Sequence, residues 1–328
     1  MMHGDLAVFA LDASRDFGAA VAHRIGVELE AHEEREFEDG EHKARPLTSV
    51  RDRDVYVLQS LHADPRQSVN DKLVRLLLFI GALKDASAAR VTAIVPYLAY
   101  ARKDRKSKTR DPVSTRYVAQ LFEAVGVDCI VTLDVHNLAA FQNAFRCRCE
   151  NLEANRLFVA HFAGRLAGAD AVVVAPDAGG IKRAEDFRRR LATALGRPVP
   201  MAFAEKHRSS GIVSGEALVG DVSGRVAIIV DDLISGGTTA ARAAQSCRVR
   251  GARSVHVAAS HGLFAAGAGT MLVQDAIDDI VVTDTVSAAR VTDAELRRKI
   301  TWVSAAPLFA EAIARLHRGG SLVELGAG

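Results

Sequence analysis

Val226-Ala-Ile-Ile-Val-Asp-Asp-Leu-Ile-Ser-Gly-Gly-Thr-Thr239 predicts a buried strand that runs into two adjacent carboxylates and then into a loop of small residues. The apolar run at its start is typical of a parallel strand that is covered on both faces. The residues from Thr238 to Gly251 predict the helix that follows. The loop is therefore expected at the carboxyl end of a strand and at the start of a helix.

This loop has the composition of a phosphate-binding site. Gly236 and Gly237 allow backbone N–H groups to close around an anion, and the next helix adds the partial positive charge of its N-terminus. The hydroxyls of Thr238-Thr239 can add further hydrogen bonds. A capped turn without a ligand is the other interpretation of so short a motif.

The acidic pair before the loop has a different chemistry. Asp231 and Asp232 cannot bind a phosphate, because like charges repel, but they suit groups that hang from a sugar phosphate. Such groups are vicinal hydroxyls, or a Mg²⁺ ion bound to them.

Other segments narrow the interpretation. The acidic pair and its loop resemble the 5-phosphoribosyl-1-diphosphate (PRPP) binding loop of the phosphoribosyltransferase superfamily. Four more segments are similar to signature segments of the ribose-phosphate pyrophosphokinase (PRPP synthetase) family, in that family's order: Phe37-Glu-Asp-Gly-Glu41, Tyr97-Leu-Ala-Tyr-Ala-Arg-Lys-Asp-Arg105, Asp134-Val-His136 and Pro176-Asp-Ala-Gly-Gly180. The resemblance extends from Leu6 to Leu316. Simple phosphoribosyltransferases share the loop but not the whole set.

The composition is compatible with an enzyme of two ordinary domains. The chain has 328 residues, and its 42 basic and 40 acidic residues give a net charge of +2, which predicts no general nucleic-acid or membrane surface. The start lacks the pattern of a signal peptide, and no apolar run approaches the 18 or so residues of a membrane span. We therefore expect a cytoplasmic protein.

Strands and helices alternate along both halves of the sequence. This pattern predicts two tandem α/β domains with doubly wound parallel sheets, and the resemblance implies that they are of the type I phosphoribosyltransferase type. We place the boundary where Cys147–Glu150 breaks the alternation, giving an ATP-binding domain over residues 1–152 and a ribose 5-phosphate-binding domain over residues 153–328. The predicted strands are Leu6–Leu11, Asp54–Gln59, Val91–Pro96, Cys129–Leu133, Ala171–Ala175, Pro200–Ala204, Val226–Val230, Val255–Ala259 and Ile280–Thr283.

The resemblance implies a reaction. The β,γ-diphosphoryl group of ATP is transferred to O1 of ribose 5-phosphate, which gives PRPP and AMP. Such a step depends mainly on positioning and on neutralisation of charge. Two alternatives stay open: a catalytically weak regulatory homologue, and a phosphoribosyltransferase that consumes PRPP. The second is disfavoured because one domain would suffice for it.

The resemblance also implies site residues. His136 and Asp177 would bind Mg²⁺, and Lys206 and Arg208, on a predicted hairpin or flap, would stabilise the transferring group. A structural histidine and a merely solvated loop are the alternatives. The predicted ATP-binding residues are Phe37, Asp39, Glu41, Arg102 and Lys103. The predicted ribose 5-phosphate-binding residues are Asp231, Asp232, Ser235, Gly236, Gly237, Thr238 and Thr239.

The Phe37-Glu-Asp-Gly-Glu41 segment further implies an assembly, because in this family the corresponding hairpin reaches the nucleotide of a neighbouring subunit. We therefore expect an obligate homo-oligomer that is built from dimers, with a hexamer as one form.

The sequence departs from the family pattern at two places. In the loop, Ser235 replaces an aspartate and Gly236 replaces a threonine. In the other segment, Lys103 stands where glutamine is common, and Asp111 precedes Pro112. These changes leave open how active the chain is, and whether ADP and inorganic phosphate control it.

Overall fold

The computed structural model describes residues 4–166, 168–209, 212–323 and 325, and for residues 205–209 and 212–217 it describes the backbone alone. The chain divides into two compact units, one of Met1–Glu153 with Ala305–Gly328 and the other of Ala154–Ser304. The first junction lies next to the predicted boundary. The C-terminal residues, which were expected in the second domain, lie instead with the first unit.

The described residues of the first unit build a five-stranded parallel sheet in the order β1-β4-β5-β6-β7, with a separate antiparallel pair β2-β3. Its elements before the second unit are β1 (Leu6–Ala10), α1 (Arg15–Ile25), β2 (His32–Glu36), β3 (His42–Pro46), β4 (Asp54–Leu58), α2 (Val69–Asp85), β5 (Arg90–Val95), α3 (Ser114–Ala124), β6 (Cys129–Leu133), α4 (Leu138–Ala144) and β7 (Arg148–Leu152). The central strands β4, β5 and β6 are buried along their whole length, as expected for strands covered on both faces.

The second unit contains, as far as it is described, a seven-stranded sheet in the order β10-β9-β8-β11-β12-β13-β14. Its elements are α5 (Asn155–Arg165), β8 (Ala171–Ala175), α6 (Ile181–Leu195), β9 (Met201–Ser209), β10 (Ile212–Val219), β11 (Val226–Ile234), α7 (Thr238–Val249), β12 (Ser254–Gly262), α8 (Ala268–Leu272), β13 (Asp279–Thr283), α9 (Ala294–Lys299) and β14 (Ile300–Val303); the last helix of the chain, α10 (Ala306–Arg318), lies in the first unit. All neighbours in this sheet are parallel except β9 and β10. The prediction of two α/β units with parallel sheets is confirmed.

Two details of the prediction are wrong. The stretch Cys147–Glu150 does not break the pattern, because most of it lies on β7, an edge strand that pairs in parallel with β6. Its half-exposed residues lack the apolar run that marked the other strands. The strand predicted to end at Val230 continues to Ile234, because β12 pairs with it as far as Gly262. The acidic pair therefore lies on the strand rather than after it.

Helix α10 joins the first unit through an apolar contact and a polar one. Phe309 is fully buried and meets Phe17 of α1 edge to face, with 5.7 Å between the ring centres. At the other end of the helix, Nδ1 of His317 lies 2.8 Å from Oδ2 of Asp54. Among the described residues, no helix is long and apolar enough to cross a membrane.

Asp54 is the centre of a buried polar cluster at the start of β4. Its carboxylate is fully buried and accepts hydrogen bonds from Arg90 at 2.6 and 2.5 Å, and Tyr56 donates a further one at 3.2 Å. Burial is the main cause that raises the pKa of the Tyr56 hydroxyl, and the Asp54 charge adds to it. Arg90 also donates to the backbone oxygen of Leu316 at 3.1 Å. The cluster thus ties the sheet to the end of α10.

We expect Arg90→Met to destabilise the first unit by about 3–5 kcal/mol, because it leaves the Asp54 carboxylate buried without its cation. The matched control is Arg45→Met, which removes an arginine whose side chain is 57% exposed and which pairs with Glu33. That change should cost less than about 1 kcal/mol. Urea unfolding followed by circular dichroism measures both, and equal losses would contradict the role given to Asp54.

Candidate functional site

The acidic pair lies where β11 passes the end of its neighbour β8. The pairing of β8 with β11 ends at Val174 and Ile229, whereas β12 pairs with β11 as far as Ile234. Asp231 and Asp232 therefore have a strand beside them on one side, while the other side lies at the carboxyl edge of the sheet. Ligands of open α/β sheets bind at this edge.

One arginine faces both carboxylates. Nη1 of Arg183, on α6, lies 3.6 Å from Oδ1 of Asp231 and 3.4 Å from Oδ1 of Asp232. Burial raises the pKa of Asp231 to about 8, the neighbouring Asp232 adds to this rise, and Arg183 opposes it. The raised pKa favours the protonated form of one carboxyl group of the pair. In that state one carboxyl group can donate a hydrogen bond and the other can accept, which suits two adjacent hydroxyls.

The loop after β11 has the features of an anion site. Gly237 has a φ of +80°, and a Cβ there would lie 2.7 Å from Cγ of Leu272, so the position requires glycine. A Cβ on Gly236 would meet nothing within 4 Å, which leaves room for a ligand beside the backbone. Within the described residues, no side chain caps the start of α7. The first N–H groups of a helix have no partner inside it, so they are available to a phosphate.

The hydroxyl residues of the loop frame the same place. Thr238 is exposed, and Ser235 and Thr239 are half-buried. The backbone oxygen of Ser235 accepts the N–H of Ala265 at 3.0 Å, which fixes the loop on the segment after β12. The seven residues predicted to bind ribose 5-phosphate thus form one continuous stretch from β11 to the start of α7.

Asp177 lies beside the acidic pair because it follows β8, the strand next to β11. It caps a short 3-10 turn over Ala178–Gly180, where its Oδ1 accepts the N–H of Gly180 at 3.1 Å. A Cβ on Gly179 would come within 3.2 Å of the same carboxylate oxygen. The turn places a half-buried carboxylate at the edge of the sheet, an oxygen donor of the kind that a hydrated Mg²⁺ prefers.

The β9–β10 hairpin extends past this edge. β9 is parallel to β8 as far as Phe203 and Ala175, and it then continues, paired antiparallel with β10. The prediction of a hairpin at this place is confirmed by the backbone. Lys206 and Arg208 lie on the continuing part of β9, paired with Glu216 and Val213. Their side chains lie outside the described part of the chain.

In the first unit, His136 stands on a segment that β7 holds in place. The N–H of Asp134 donates to the oxygen of Leu152 at 2.9 Å, and the N–H of Val135 donates to Oδ1 of Asn151 at 2.8 Å. Asp134 has a φ of +39°, an uncommon backbone for an aspartate. His136 itself is exposed, so its imidazole can be reached by a ligand.

The next residue ties this segment to the loop after β5. Asn137 caps α4, where its Oδ1 accepts the N–H of Ala140 at 3.1 Å, and its Nδ2 donates to Oδ2 of Asp104 at 2.5 Å. The predicted metal ligand His136 and the predicted nucleotide segment around Arg102 are therefore linked within the first unit. Arg102 is exposed.

The two unusual residues of the loop after β5 form an ion pair with each other. Nζ of Lys103 contacts Oδ2 of Asp111, and the same oxygen accepts the N–H groups of Ser107 and Lys108 at 3.0 and 2.9 Å. The hydrogen bond from Lys103 is the main cause that lowers the pKa of Asp111. The two residues that depart from the family pattern, Lys103 and Asp111, thus bind each other within this loop. A contact of Lys103 with ATP stays a prediction.

The Phe37–Glu41 segment is the turn between β2 and β3. The backbone N–H of Phe37 donates to the backbone oxygen of Glu41 across the turn at 2.8 Å, and Oδ1 of Asp39 accepts the N–H of Glu41 at 3.1 Å. The Phe37 ring is 39% exposed, and Cζ of Arg35 lies 5.0 Å from its centre. The exposed ring is available to stack on a base.

Arg183 was not predicted as a site residue, because it is one of several arginines along α6. Its position six residues after Asp177 would have been the one usable signal, because it puts Arg183 in the first turn of the helix after the glycine turn. Asn137 was also missed, although an asparagine before an apolar helix is an ordinary N-cap signal.

Comparisons with known proteins agree with this arrangement. Residues 6–126 match the family model of the N-terminal domain of ribose phosphate pyrophosphokinase, and residues 198–326 match that of the phosphoribosyl synthetase-associated domain. A ribose-phosphate pyrophosphokinase of Caldanaerobacter subterraneus subsp. tengcongensis is 36% identical, with 98% of this chain and 97% of the relative covered. One of Listeria ivanovii is 35% identical, over 98% of this chain and 96% of the relative. The crystal structure of phosphoribosylpyrophosphate synthetase from Mycobacterium smegmatis is 36% identical, with a TM-score of 0.85 over 96% of this chain and all (100%) of that one.

The proton of the acidic pair predicts a pH dependence of stability. The folded-state pKa of Asp231, about 8, lies above its ordinary value of 3.8, so the stability that this proton contributes is complete below pH 3.8 and is lost as the pH rises through about 8. We expect the free energy of unfolding of the second unit to fall across this window, and to fall less in Asp231→Asn. Denaturant titrations at several pH values measure this.

The control for that experiment is Asp221→Asn, which changes an aspartate whose side chain is 68% exposed. It should keep the wild-type profile. If Asp231→Asn has the wild-type profile as well, Asp231 does not hold the proton.

Proposed function

The chain belongs to the ribose-phosphate pyrophosphokinase family and makes PRPP by transfer of diphosphate from ATP to ribose 5-phosphate, and we propose that its second unit holds the sugar phosphate and its first unit the nucleotide. The observation that carries this assignment is the order of groups along β11. Two carboxylates that face one arginine are followed directly by a glycine loop and a helix N-terminus. A sugar phosphate has the matching order, hydroxyls and then an anion.

In the proposed complex the 5-phosphate lies in the loop. Backbone N–H groups of Gly236, Gly237 and the start of α7 bind its oxygens, with hydroxyls from Ser235 and Thr238-Thr239. The ribose hydroxyls then lie at Asp231 and Asp232. The changes at Ser235 and Gly236 leave this scheme intact, because backbone groups make the main contacts.

ATP is assigned to the first unit. Arg102 and Lys103 would bind its phosphates, while Phe37 stacks on the base and Asp39 or Glu41 accepts from its amino group. Asp39 already accepts a hydrogen bond inside the turn, so Glu41 is the better candidate to accept from the amino group of the base. The hairpin that carries them is proposed to serve a neighbouring copy of the chain, in a homo-oligomer built from dimers.

His136 and Asp177 are the residues proposed to bind Mg²⁺, each considered within its own unit. The exposed imidazole in the first unit and the half-buried carboxylate in the second are each a donor that a hydrated Mg²⁺ can use. When bound, Mg²⁺ would neutralise charge on the phosphates of ATP.

In the transfer step, O1 of the sugar attacks the β-phosphorus of ATP. A bond forms between O1 and the β-phosphorus, the proton of the O1 hydroxyl passes to solvent, the bond between this phosphorus and the oxygen of the α-phosphate breaks, and AMP leaves. Lys206 and Arg208 would stabilise the negative charge on the transferring group, since phosphoryl transfer depends on such stabilisation. The hairpin that carries them would at the same time exclude water, which would otherwise hydrolyse ATP.

The reaction is tested by following adenine nucleotides chromatographically after ribose 5-phosphate is added to purified protein with ATP and Mg²⁺. We expect AMP and PRPP in equal amounts and no ADP, because the β,γ-diphosphoryl group moves as one. Omission of Mg²⁺ should stop the reaction. If no AMP is released, the chain is a regulatory homologue, and if PRPP is consumed with a base, it is a phosphoribosyltransferase.

The same assay tests the hairpin. Lys206→Ala and Arg208→Ala should each lower kcat by roughly a hundredfold or more, with little change in the KM for ribose 5-phosphate, because the lost contact is made mainly in the transition state. Arg298→Ala, at a side chain that is 72% exposed, is the control and should keep wild-type turnover. If either hairpin variant keeps wild-type turnover, the hairpin has no role in the transfer step.

A further inference from the structure

An unusual polar cluster lies under the β2–β3 hairpin. In the antiparallel register Glu36 lies opposite His42 and Glu34 opposite Ala44, so His32, Glu34 and His42 share one face. This is the face that Ala44 packs against the core of the first unit. Apolar residues are expected on such a face, so the presence of two imidazoles and a carboxylate needs an explanation.

The donor atoms of this cluster converge. Oε1 of Glu34 lies 3.2 Å from Nε2 of His32, and its Oε2 lies 3.2 Å from Nε2 of His42. Oδ1 of Asp12, on the short turn after β1, lies 3.9 Å from Nε2 of His32. One ligand atom each of Asp12, His32 and Glu34 lies within 4.8 Å of the other two. Ligands around a tetrahedral Zn²⁺ are roughly 3.3 Å apart, as its bond lengths of about 2.0 Å require.

Burial makes the cluster costly without a further partner. Three of the four side chains are almost inaccessible, with 2% of His32, 6% of Glu34 and 6% of His42 exposed, whereas Asp12 is 60% exposed. Both ring nitrogens of His42 lack a hydrogen-bond partner within the described part of the chain. Buried polar atoms are rarely left in this state, because each costs free energy. A cation between His42 and Glu34 would engage the Nε2 atom that the hydrogen-bond geometry leaves unused.

The other charged groups nearby are already paired, Arg75 with Glu36 and Arg15 with Asp12. Neutral imidazole and ionised carboxylate are the forms that ligate metals.

We propose that Asp12, His32 and Glu34, whose donor atoms converge, bind one divalent transition-metal ion, with His42, which lies beside the other oxygen of Glu34, as a fourth ligand and Zn²⁺ as the best fit. Mixed nitrogen and oxygen donors favour Zn²⁺ or Co²⁺ over Mg²⁺, which prefers oxygen and water. The ring of His32 packs against the rings of Phe9 and Phe79, whose centres lie 6.3 and 5.4 Å from the centre of the imidazole. The ion would join both strands of the hairpin to the turn after β1.

The consequence for activity rests on the proposed function. The hairpin carries Phe37 and Glu41, which are assigned to the base of ATP, and His42 directly follows Glu41. An ion at the base of the hairpin would fix the direction in which these residues project. Binding of the metal itself does not depend on that assignment.

The test uses the full chain after treatment with a chelator, without ATP or ribose 5-phosphate. Titration with Co²⁺ should give the visible absorption of a four-coordinate ion at one equivalent per chain, and Zn²⁺ should displace it while a large excess of Mg²⁺ should not. Hydrogen exchange in residues 32–46 should slow when Zn²⁺ is added. No stoichiometric Co²⁺ or Zn²⁺ binding would overturn the proposal, whatever the catalytic assay shows.

Variants locate the site. His42→Gln and Glu34→Gln should each weaken Zn²⁺ binding by roughly a hundredfold or more, because each removes a direct ligand. His23→Gln, at an exposed imidazole on α1, is the matched control and should bind as the wild type does. Far-ultraviolet circular dichroism confirms folding, and His42→Gln alone suffices if Glu34→Gln does not fold. Unchanged binding in folded His42→Gln would also overturn the proposal.

Discussion

The burial of two adjacent carboxylates on β11 is the constraint around which the second unit is arranged. Asp232 is 4% exposed, and a charged pair of this kind is costly unless cations or protons compensate it. Arg183 supplies part of the compensation from α6, and the raised pKa of Asp231 supplies a proton. Both residues lie on β11 beyond its pairing with β8, at the carboxyl edge of the sheet, where ligands of such sheets bind.

The neighbouring elements follow from this constraint. β8 ends early, so that the Asp177 turn lies beside the acidic pair and the helix that carries Arg183 begins there. β9 continues past the end of β8 and brings the backbone of Lys206 and Arg208 beyond the same edge. Gly237 ends the loop after β11 at a position that would not accept a side chain. In the first unit, the buried Asp54 has the comparable role of joining the sheet to α10.

Much of the fold could be predicted from the sequence, because its signals are local. Fully buried strands such as β6 and β8 were predicted with their observed ends. Strand β7 was missed because an edge strand needs no apolar run, and the return of α10 to the first unit depends on contacts such as Phe309 with Phe17, which join distant parts of the chain. The strand through Asp231 was predicted too short because its pairing with β12 outweighs the polarity of its residues.

The candidate site shows the same division. The glycine loop and the acidic pair are contiguous in the sequence, so they could be recognised from the composition of one stretch. Arg183 with Asp232, Lys103 with Asp111, and His42 with Glu34 are pairs made by folding. The spacing of such partners along the sequence does not predict that they pair. Charged residues are common on helices and loops, and only the folded chain shows which of them meet.

The central claim is that a sugar held on β11 attacks ATP through its own O1. Ribose 5-phosphate labelled with oxygen-18 at O1 tests this most directly, with phosphorus NMR of the products. We expect the label to be retained between C1 and the inner phosphorus of the PRPP diphosphate, which was the β-phosphorus of ATP, and to appear as an isotope shift of that phosphorus signal, while AMP carries none. Label in AMP or in water, or PRPP without label, would contradict it.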